Sequence, residues 1–454
     1  MKRTLFMILA VLMIISVFPV ASYADAEPYP DKVTISFVDV SPSPEREAMY
    51  KEMIEAFKEV EPNITVEYES IPWDDAHNKL AMLGVTGSMP DVIQFHYTWA
   101  SEFVGAGWVQ NLSDYVANYE GYDGFTDYCK NVVLKANQED VYGGIYFIPD
   151  AILNTGIMYR KDYFEEAGIT PNPDWTLDEF VETAGKLTDA SKGRYGLSYR
   201  GARGGFDQIS WNIFAANKGY MFDDTGKCLF DSEAGLEAFK KYTSIYLNGY
   251  APKDAISWGF AEMLQGFSSG TCAMLMQNPD AVPLLATSMD MSNVGFLPLP
   301  RNADGEFYTE ANASYCYGIA ANCEVPEAAW RFIGFVSNAE NNTKYCKVTG
   351  LIPIQKDALS DPYFGDGVTG AFMQNLEEEG FVVPSVWGYY PELGTIRETV
   401  MDAEVQKYLQ GQQTAEESMG NLAKLCTDAQ QAYMAENPDV PIPQPFVVKT
   451  VGKA

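Results

Sequence analysis

Residues 148–180, IPDAILNTGIMYRKDYFEEAGITPNPDWTLDEF, change character twice. Ile148, Pro149 and Asp150 lead into an apolar run from Ala151 to Met158, which reads as extended chain. KDYFEEAG then reads as a short helix, a Pro-rich stretch breaks it, and Trp175 precedes an acidic helix start. The stretch carries no obvious nucleophile or metal ligand. Pro149 and Asp150 lie where the chain would leave one lobe and begin another.

Upstream, VTISFVDV (33–40), ITVEYESI (64–71) and DVIQFH (91–96) read as strands, separated by helices over Arg46–Val60 and Trp73–Leu83. Strand, helix, strand, helix, strand with short breaks is the βαβ signature of a parallel sheet covered by helices. Val104–Tyr119 reads as a helix interrupted by glycines, and YGGIYFIP as a short strand. Downstream, helices are expected over Leu177–Leu187, Ser232–Tyr246, Phe260–Ser268, Glu327–Val336, Thr395–Leu409 and Thr414–Glu436. Strands are expected at CAMLM, NVGFLPLP and YCYGIA, with another extended piece at LIPIQ. A chain of 454 residues exceeds one typical core, so two lobes are the natural division.

Acidic residues number 62 against 31 basic, a net charge of -31. Such a surface repels phosphate backbones and anionic lipid, which sets aside nucleic acid and peripheral membrane as partners. It also singles out the few basic residues near candidate pocket segments, Arg200 and Arg203. The seven cysteines are widely spread with no C-x-x-C pair, and read as isolated buried thiols. Lys2, Arg3, the apolar run Leu5–Val20 and Ala24-Asp25-Ala26 form a leader expected to be cleaved near Ala26. No Cys stands there for lipid attachment, and no other apolar run reaches about 18 residues. The mature chain is therefore expected outside the cytoplasm, periplasmic or extracellular.

Signatures of hydrolases and nucleotide-binding loops are absent: there is no G-x-S-x-G, H-E-x-x-H or G-x-x-x-x-G-K-[ST]. The two histidines, His77 and His96, have no metal spacing, and the Asp223 turn lacks the final Glu of a calcium loop. No metal and no cofactor is expected, and a binding protein outranks an enzyme. Aromatic residues instead gather at the ends of expected elements: Trp73 after the second strand, Tyr97 and Trp99 after the third, then Trp211 and Trp387-Gly388-Tyr389-Tyr390. Flat rings beside hydrogen-bonding groups suit the apolar faces and hydroxyl edges of sugars, and also cations, peptides and plain packing.

The blocks together resemble extracellular solute-binding proteins of ATP-driven importers, in the carbohydrate-binding group that includes maltodextrin-binding protein. The opening stretch looks like the family's lobe-crossing strand, its Y-x-K-D-x-F-x-x-A-G helix and its W-x-x-F helix start. MPDVIQF, GFSSGTCAMLMQNPDAV, VGFLPLP, EAAWRFIGFVSN and VWGYYPELG follow in the family's order, and the likeness runs from about residue 31 to 436. The resemblance implies an α/β, periplasmic-binding-protein-like fold, two α/β lobes joined by a multi-crossing hinge with a ligand cleft between them. Residues 1–26 would be the signal peptide, 27–149 with 317–349 the first lobe, and 150–316 with 350–454 the second. The cleft would close on a carbohydrate or sugar derivative, and a monomer would deliver it to ABC importer permease subunits. By position, the ligand-binding residues would be Trp73, His96, Tyr97 and Trp99 on the first lobe. Arg203, Trp211, Asn278, Trp387 and Tyr389 would face them from the second. Trp387 and Trp211 would stack on the ligand, while Arg203, Asn278 and His96 would hydrogen-bond it. Asn278 departs from the aromatic that relatives often bear there. The alternatives are a binding protein for a polyamine or other non-sugar solute, a surface-adhesion or signalling protein, and an extracellular glycan-active enzyme.

Overall fold

The computed structural model describes residues 27–310, 312–376, 382–384 and 387–447. The expected leader and its cleavage point lie outside them. No described helix is long and apolar enough to cross a membrane.

Strands β1 (Val33–Asp39), β2 (Ile64–Ser70) and β3 (Val92–His96) pair in parallel in the order β2-β1-β3. Their connecting helices are Pro44–Val60 and Trp73–Thr86. The first begins where it does because the Ser43 side chain accepts the Arg46 N–H at 3.2 Å, Pro44 opens its first turn, and Glu45 and Glu47 sit at its positive end. Met49, Tyr50, Met53 and Phe57 share its buried face, at helical spacing. Because β1 has its successors on opposite sides, the sheet has a switch point between β1 and β3, where α/β proteins open a crevice beyond the strand ends.

The opening stretch supplies three short strands: β4 (Ile148–Pro149), β5 (Ile152–Leu153) and β6 (Gly156–Arg160). β4 joins the first sheet, whose full order is β2-β1-β3-β11-β4, with β11 at Tyr315–Ile319. β5 pairs antiparallel with β10 (Asn312–Ala313), so two chain segments cross side by side. β6 is central in a second sheet, β7-β8-β6-β9, with β7 at Tyr195–Leu197, β8 at Cys272–Gln277 and β9 at Val294–Pro298. The helix after the Pro-rich break runs Leu177–Leu187 under a capping box of Thr176 and Glu179.

Several expectations change. Val104–Tyr119 is not one helix: turns end at Gly105 and resume over Ser113–Ala117, because Gly107 takes a left-handed φ of 69° and Val109 bridges to Ala320. Only Ile148 and Pro149 of YGGIYFIP are strand. Tyr315 and Cys316 already pair with His96 and Phe95, two residues before the boundary expected at 317. After residue 349 the chain still bonds to first-sheet neighbours: Thr126 N–H donates to Ile354 O and the Gln355 amide to Ser337 O. Helices over Gly205–Ala216 and Ala339–Thr349 were not foreseen. All seven cysteines are buried free thiols.

Candidate functional site

A cavity of ≈ 180 Å³ lies between the two sheets. At about 30 Å³ per water it has room for roughly six waters, below the usual range of sites for drug-sized ligands. Its first-sheet wall is built at the switch point: Ser41 follows β1, His96 ends β3 and Tyr97 follows it. Trp73 opens the helix after β2 and Tyr315 opens β11. The opposite wall comes from Arg200 to Trp211, from Gln277 at the end of β8 with Asn278 and Asp280 just after it, and from Trp387 to Asp402. Thr155 and Glu310 reach it from the two crossing segments.

Seven of the nine residues singled out by sequence line this cavity: Trp73, His96, Tyr97, Arg203, Trp211, Asn278 and Trp387. Trp99 does not. It is fully buried, stacked on Trp73 at 5.2 Å, and its indole N–H donates to Glu398 at 3.1 Å. Tyr389 lines a neighbouring ≈ 40 Å³ cavity and meets the ring of Tyr142 edge-on at 6.3 Å. Arg203 is at the wall, but the protein itself uses its donors. Nε and Nη2 bond to Glu398, and Nη1 bonds to Trp73 O and Asp74. Trp387 is held by Phe206, Phe214 and Phe230, all edge-on to its ring.

The charged lining went unnoticed in the sequence, apart from Arg200 and Arg203. Arg397 donates to both oxygens of Asp207, at 3.0 and 2.5 Å, and to Thr98 Oγ1 at 3.0 Å. Asp402 accepts the backbone N–H groups of Gly204 and Phe206 at 2.7 Å, capping the helix that carries Trp211. Burial, reinforced by Asp207, lifts the Asp402 carboxyl to about 6, and burial lifts Asp280 to about 6. These residues are some 200 positions apart in the chain, and no local spacing announces them. The proximity of Arg397 to the aromatic segment was the one available hint.

His96 is kept neutral, first by burial and then by Arg397 and Arg203. Thr98 Oγ1 lies 2.7 Å from its Nδ1 while accepting from Arg397. The Thr98 backbone N–H also donates to Nδ1, at 3.5 Å, so Nδ1 is an acceptor, the Thr98 hydroxyl donates to it as well, and the ring proton sits on Nε2.

Glu310 is a second neutral donor. Thr155 has one hydroxyl proton but two acceptors within reach, Asn278 Oδ1 at 2.7 Å and Glu310 Oε2 at 3.0 Å. A protonated Glu310 that donates to Thr155 satisfies both contacts. Tyr97 OH donates to the other Glu310 oxygen at 3.3 Å, and Asn312 donates to Tyr97. Burial above all pushes the Glu310 carboxyl up to about 8, with Asp207 adding to it and Thr155, Arg397 and Tyr97 opposing. A carboxyl raised in the folded state binds its proton more tightly there than when unfolded. The stability it gives is complete below its unfolded value of about 4.3 and is lost as pH rises through about 8. Glu310→Gln, fixed in the neutral form, should show a thermal midpoint that falls less than the parent's between pH 6 and 9. A pair of parallel melting curves would refute the protonated assignment.

Among the described residues no group of His, Cys, Asp and Glu could hold a metal ion. The neutral donors, ion-paired acceptors and rings instead suit a ligand rich in hydroxyl groups.

The chain matches bacterial extracellular solute-binding proteins over residues 41–343. Among solved structures, the ABC substrate-binding protein Lmo0181 from Listeria monocytogenes, in complex with cycloalternan, superposes with a TM-score of 0.74 at 22% identity. That match covers 88% of this chain and 99% of the other. A solute-binding protein from Agrobacterium vitis with bound D-mannitol gives 0.68 at 21% identity, over 89% and 99%. At these identities the likeness concerns the fold. In sequence, the erythritol/L-threitol-binding protein of Mycolicibacterium smegmatis is 25% identical over 319 residues, 65% of each chain. The match over two thirds of its length, to which the two-sheet fold and cleft conform, makes this chain a member of the bacterial extracellular solute-binding protein family.

Proposed function

We propose that the chain captures one small carbohydrate unit, a single sugar ring or an acyclic polyol, and delivers it to the membrane subunits of an ABC importer. The observation that carries this reading is the cavity itself. Within ≈ 180 Å³ it combines Trp211, Trp387 and Tyr315 with donors and acceptors on every side. Rings cover the apolar C–H faces of a sugar while the polar groups meet its hydroxyl edge. The relatives that bind mannitol and erythritol or L-threitol carry solutes of this size. The two lobes, divided near residues 149, 315 and 355, would close over the ligand about the paired crossings β5 and β10, a hinge motion.

The test is a thermal-shift screen of ligand-stripped mature protein against monosaccharides, polyols, oligosaccharides and polyamines. A ligand that binds only the folded state raises the midpoint, and the rise continues with the logarithm of ligand concentration above Kd. Concentration-dependent shifts are expected with one class of monosaccharide or polyol. Trp211→Leu should weaken binding of that solute about tenfold or more, a loss of roughly 1.4 kcal/mol. Shifts with polyamines alone would overturn the carbohydrate assignment.

A further inference from the structure

Of the three arginines at the cavity, two are consumed by the protein. Arg397 is spent on Asp207, Thr98 and Glu398, and Arg203 on Glu398, Asp74 and the Trp73 carbonyl. Arg200 is different. No hydrogen bond or ion pair forms to its guanidinium among the described residues, and its Nε is buried without a partner. It is nonetheless held in place. A Cβ on Gly204 would fall 2.6 Å from Arg200 Cζ and Nη2, so the guanidinium fills the space that only glycine leaves, and Phe260 lies 5.8 Å from it. The backbone at Gly204, with φ of 84°, is itself left-handed and favours glycine.

We propose that Arg200 is the specificity-determining anchor of the site, donating to adjacent hydroxyl oxygens of an uncharged solute and discriminating against its acidic derivatives. This rests on the solute-binding reading above. The sign follows from the surroundings. Asp207, Asp402 and Asp280 are the acidic groups that act on Arg200, and none comes close enough to pair with it. In all, five carboxyl side chains and three arginines line the cavity. Even with Glu310 protonated, four carboxylates outweigh the three guanidinium groups, so a carboxylate or phosphate ligand enters a field that is already negative. A hydroxyl group fits both halves of this lining: it accepts from Arg200 and donates its own proton to an Asp280 oxygen. A ligand carboxylate accepts only, and would leave Asp280 facing another anion. A fork of fixed N–H donors also matches two neighbouring oxygens better than one.

The experiment uses matched probes: mannitol with mannonate, and glucose with glucuronate and glucose 6-phosphate, titrated calorimetrically into ligand-stripped mature protein and into Arg200→Met. The parent should bind the neutral member of at least one set roughly 10²-fold more tightly than its acid. R200M should lose a similar factor for the neutral probe, while its ligand-free thermal midpoint is no lower than the parent's. Tighter binding of an acid, or unchanged neutral affinity in R200M, overturns the assignment and leaves the carbohydrate reading standing. A much lower ligand-free midpoint in R200M overturns it as well, by giving Arg200 a structural role. Binding of no probe in any set overturns the anchor as stated, while the carbohydrate reading is decided by the wider thermal-shift screen.

Discussion

Gly394→Leu should lower the affinity for the captured solute by about two orders of magnitude, with the ligand-free thermal midpoint nearly unchanged. The segment around Gly394 belongs to the second lobe at both ends. Trp387 is embedded among Phe206, Phe214 and Phe230, and Asp402 caps the helix at Gly204. Between these anchors it leans across the cleft onto the first lobe. Pro391 fits against Gly105, where a Cβ would lie 3.2 Å from its ring. A Cβ on Gly394 would overlap Glu102 Oε2 and come within 2.9 Å of His77 Nε2. Glu102 can move aside only by leaving His77, which it meets at 2.7 Å, and the other nitrogen of that buried ring already lacks a partner. A leucine there keeps a good helix former but props the lobes apart. It also strains the neighbouring contacts of Arg397 with Thr98 and of Glu398 with Trp99. Apparent affinity scales with the fraction of closed protein, so a penalty of about 2.7 kcal/mol on closure gives roughly 100-fold. Calorimetry with the solute from the screen measures the loss, and small-angle scattering reads whether saturated protein contracts. Full affinity together with normal contraction would show that this contact is no part of closure.

Asp150→Ala should cost about 3–5 kcal/mol of stability, read from urea unfolding. Asp150 sits between β4 and β5, where the chain leaves the first sheet. Its carboxylate accepts from Tyr345 OH at 2.5 Å, Gln94 Nε2 at 2.8 Å and the Tyr315 N–H at 3.1 Å. Gln94 in turn accepts from Arg46, which faces Asp39 at 3.2 Å. Asn342 donates to the Asp150 carbonyl at 2.7 Å. Alanine leaves Tyr345 OH and the Tyr315 N–H without an acceptor and Gln94 Nε2 with Tyr50 OH, at 3.0 Å, in place of the carboxylate. Burial, opposed by Arg46 and these hydrogen bonds, raises the carboxyl to about 7. The stability held by its proton is therefore present in full below the unfolded value of about 3.9 and is lost as pH rises through about 7. The variant lacks that dependence, so the gap between parent and variant should be wider at pH 5 than at pH 8. A cost below about 1 kcal/mol would mean that the network adds little to the hinge.

The sequence by itself determined the class of fold, because that information is local and periodic. Alternation in VTISFVDV and DVIQFH, the helical spacing of Met49, Met53 and Phe57, and the Thr176–Glu179 cap each act within one or two turns of chain. The ordered blocks were enough to name the family, and the positions its pattern implies include seven cavity residues, of which Trp73, His96 and Tyr97 stand at strand ends that face the crevice. Only the tertiary structure decided which groups are free to meet a ligand. Trp99 and Arg203 look like ligand residues until Trp73, Glu398 and Asp74 are seen to occupy them. Glu310 is neutral only because the paired crossings bury it beside Asp207, against the hydrogen bonds of Thr155 and Tyr97, and Asp402 caps a helix 198 residues earlier in the chain. Gly394 and Gly204 look like ordinary glycines until Glu102 and Arg200 fill the space beside them. Hydrogen-bond satisfaction, charge pairing and close approach depend on neighbours distant in sequence, and neither composition nor periodicity carries that information.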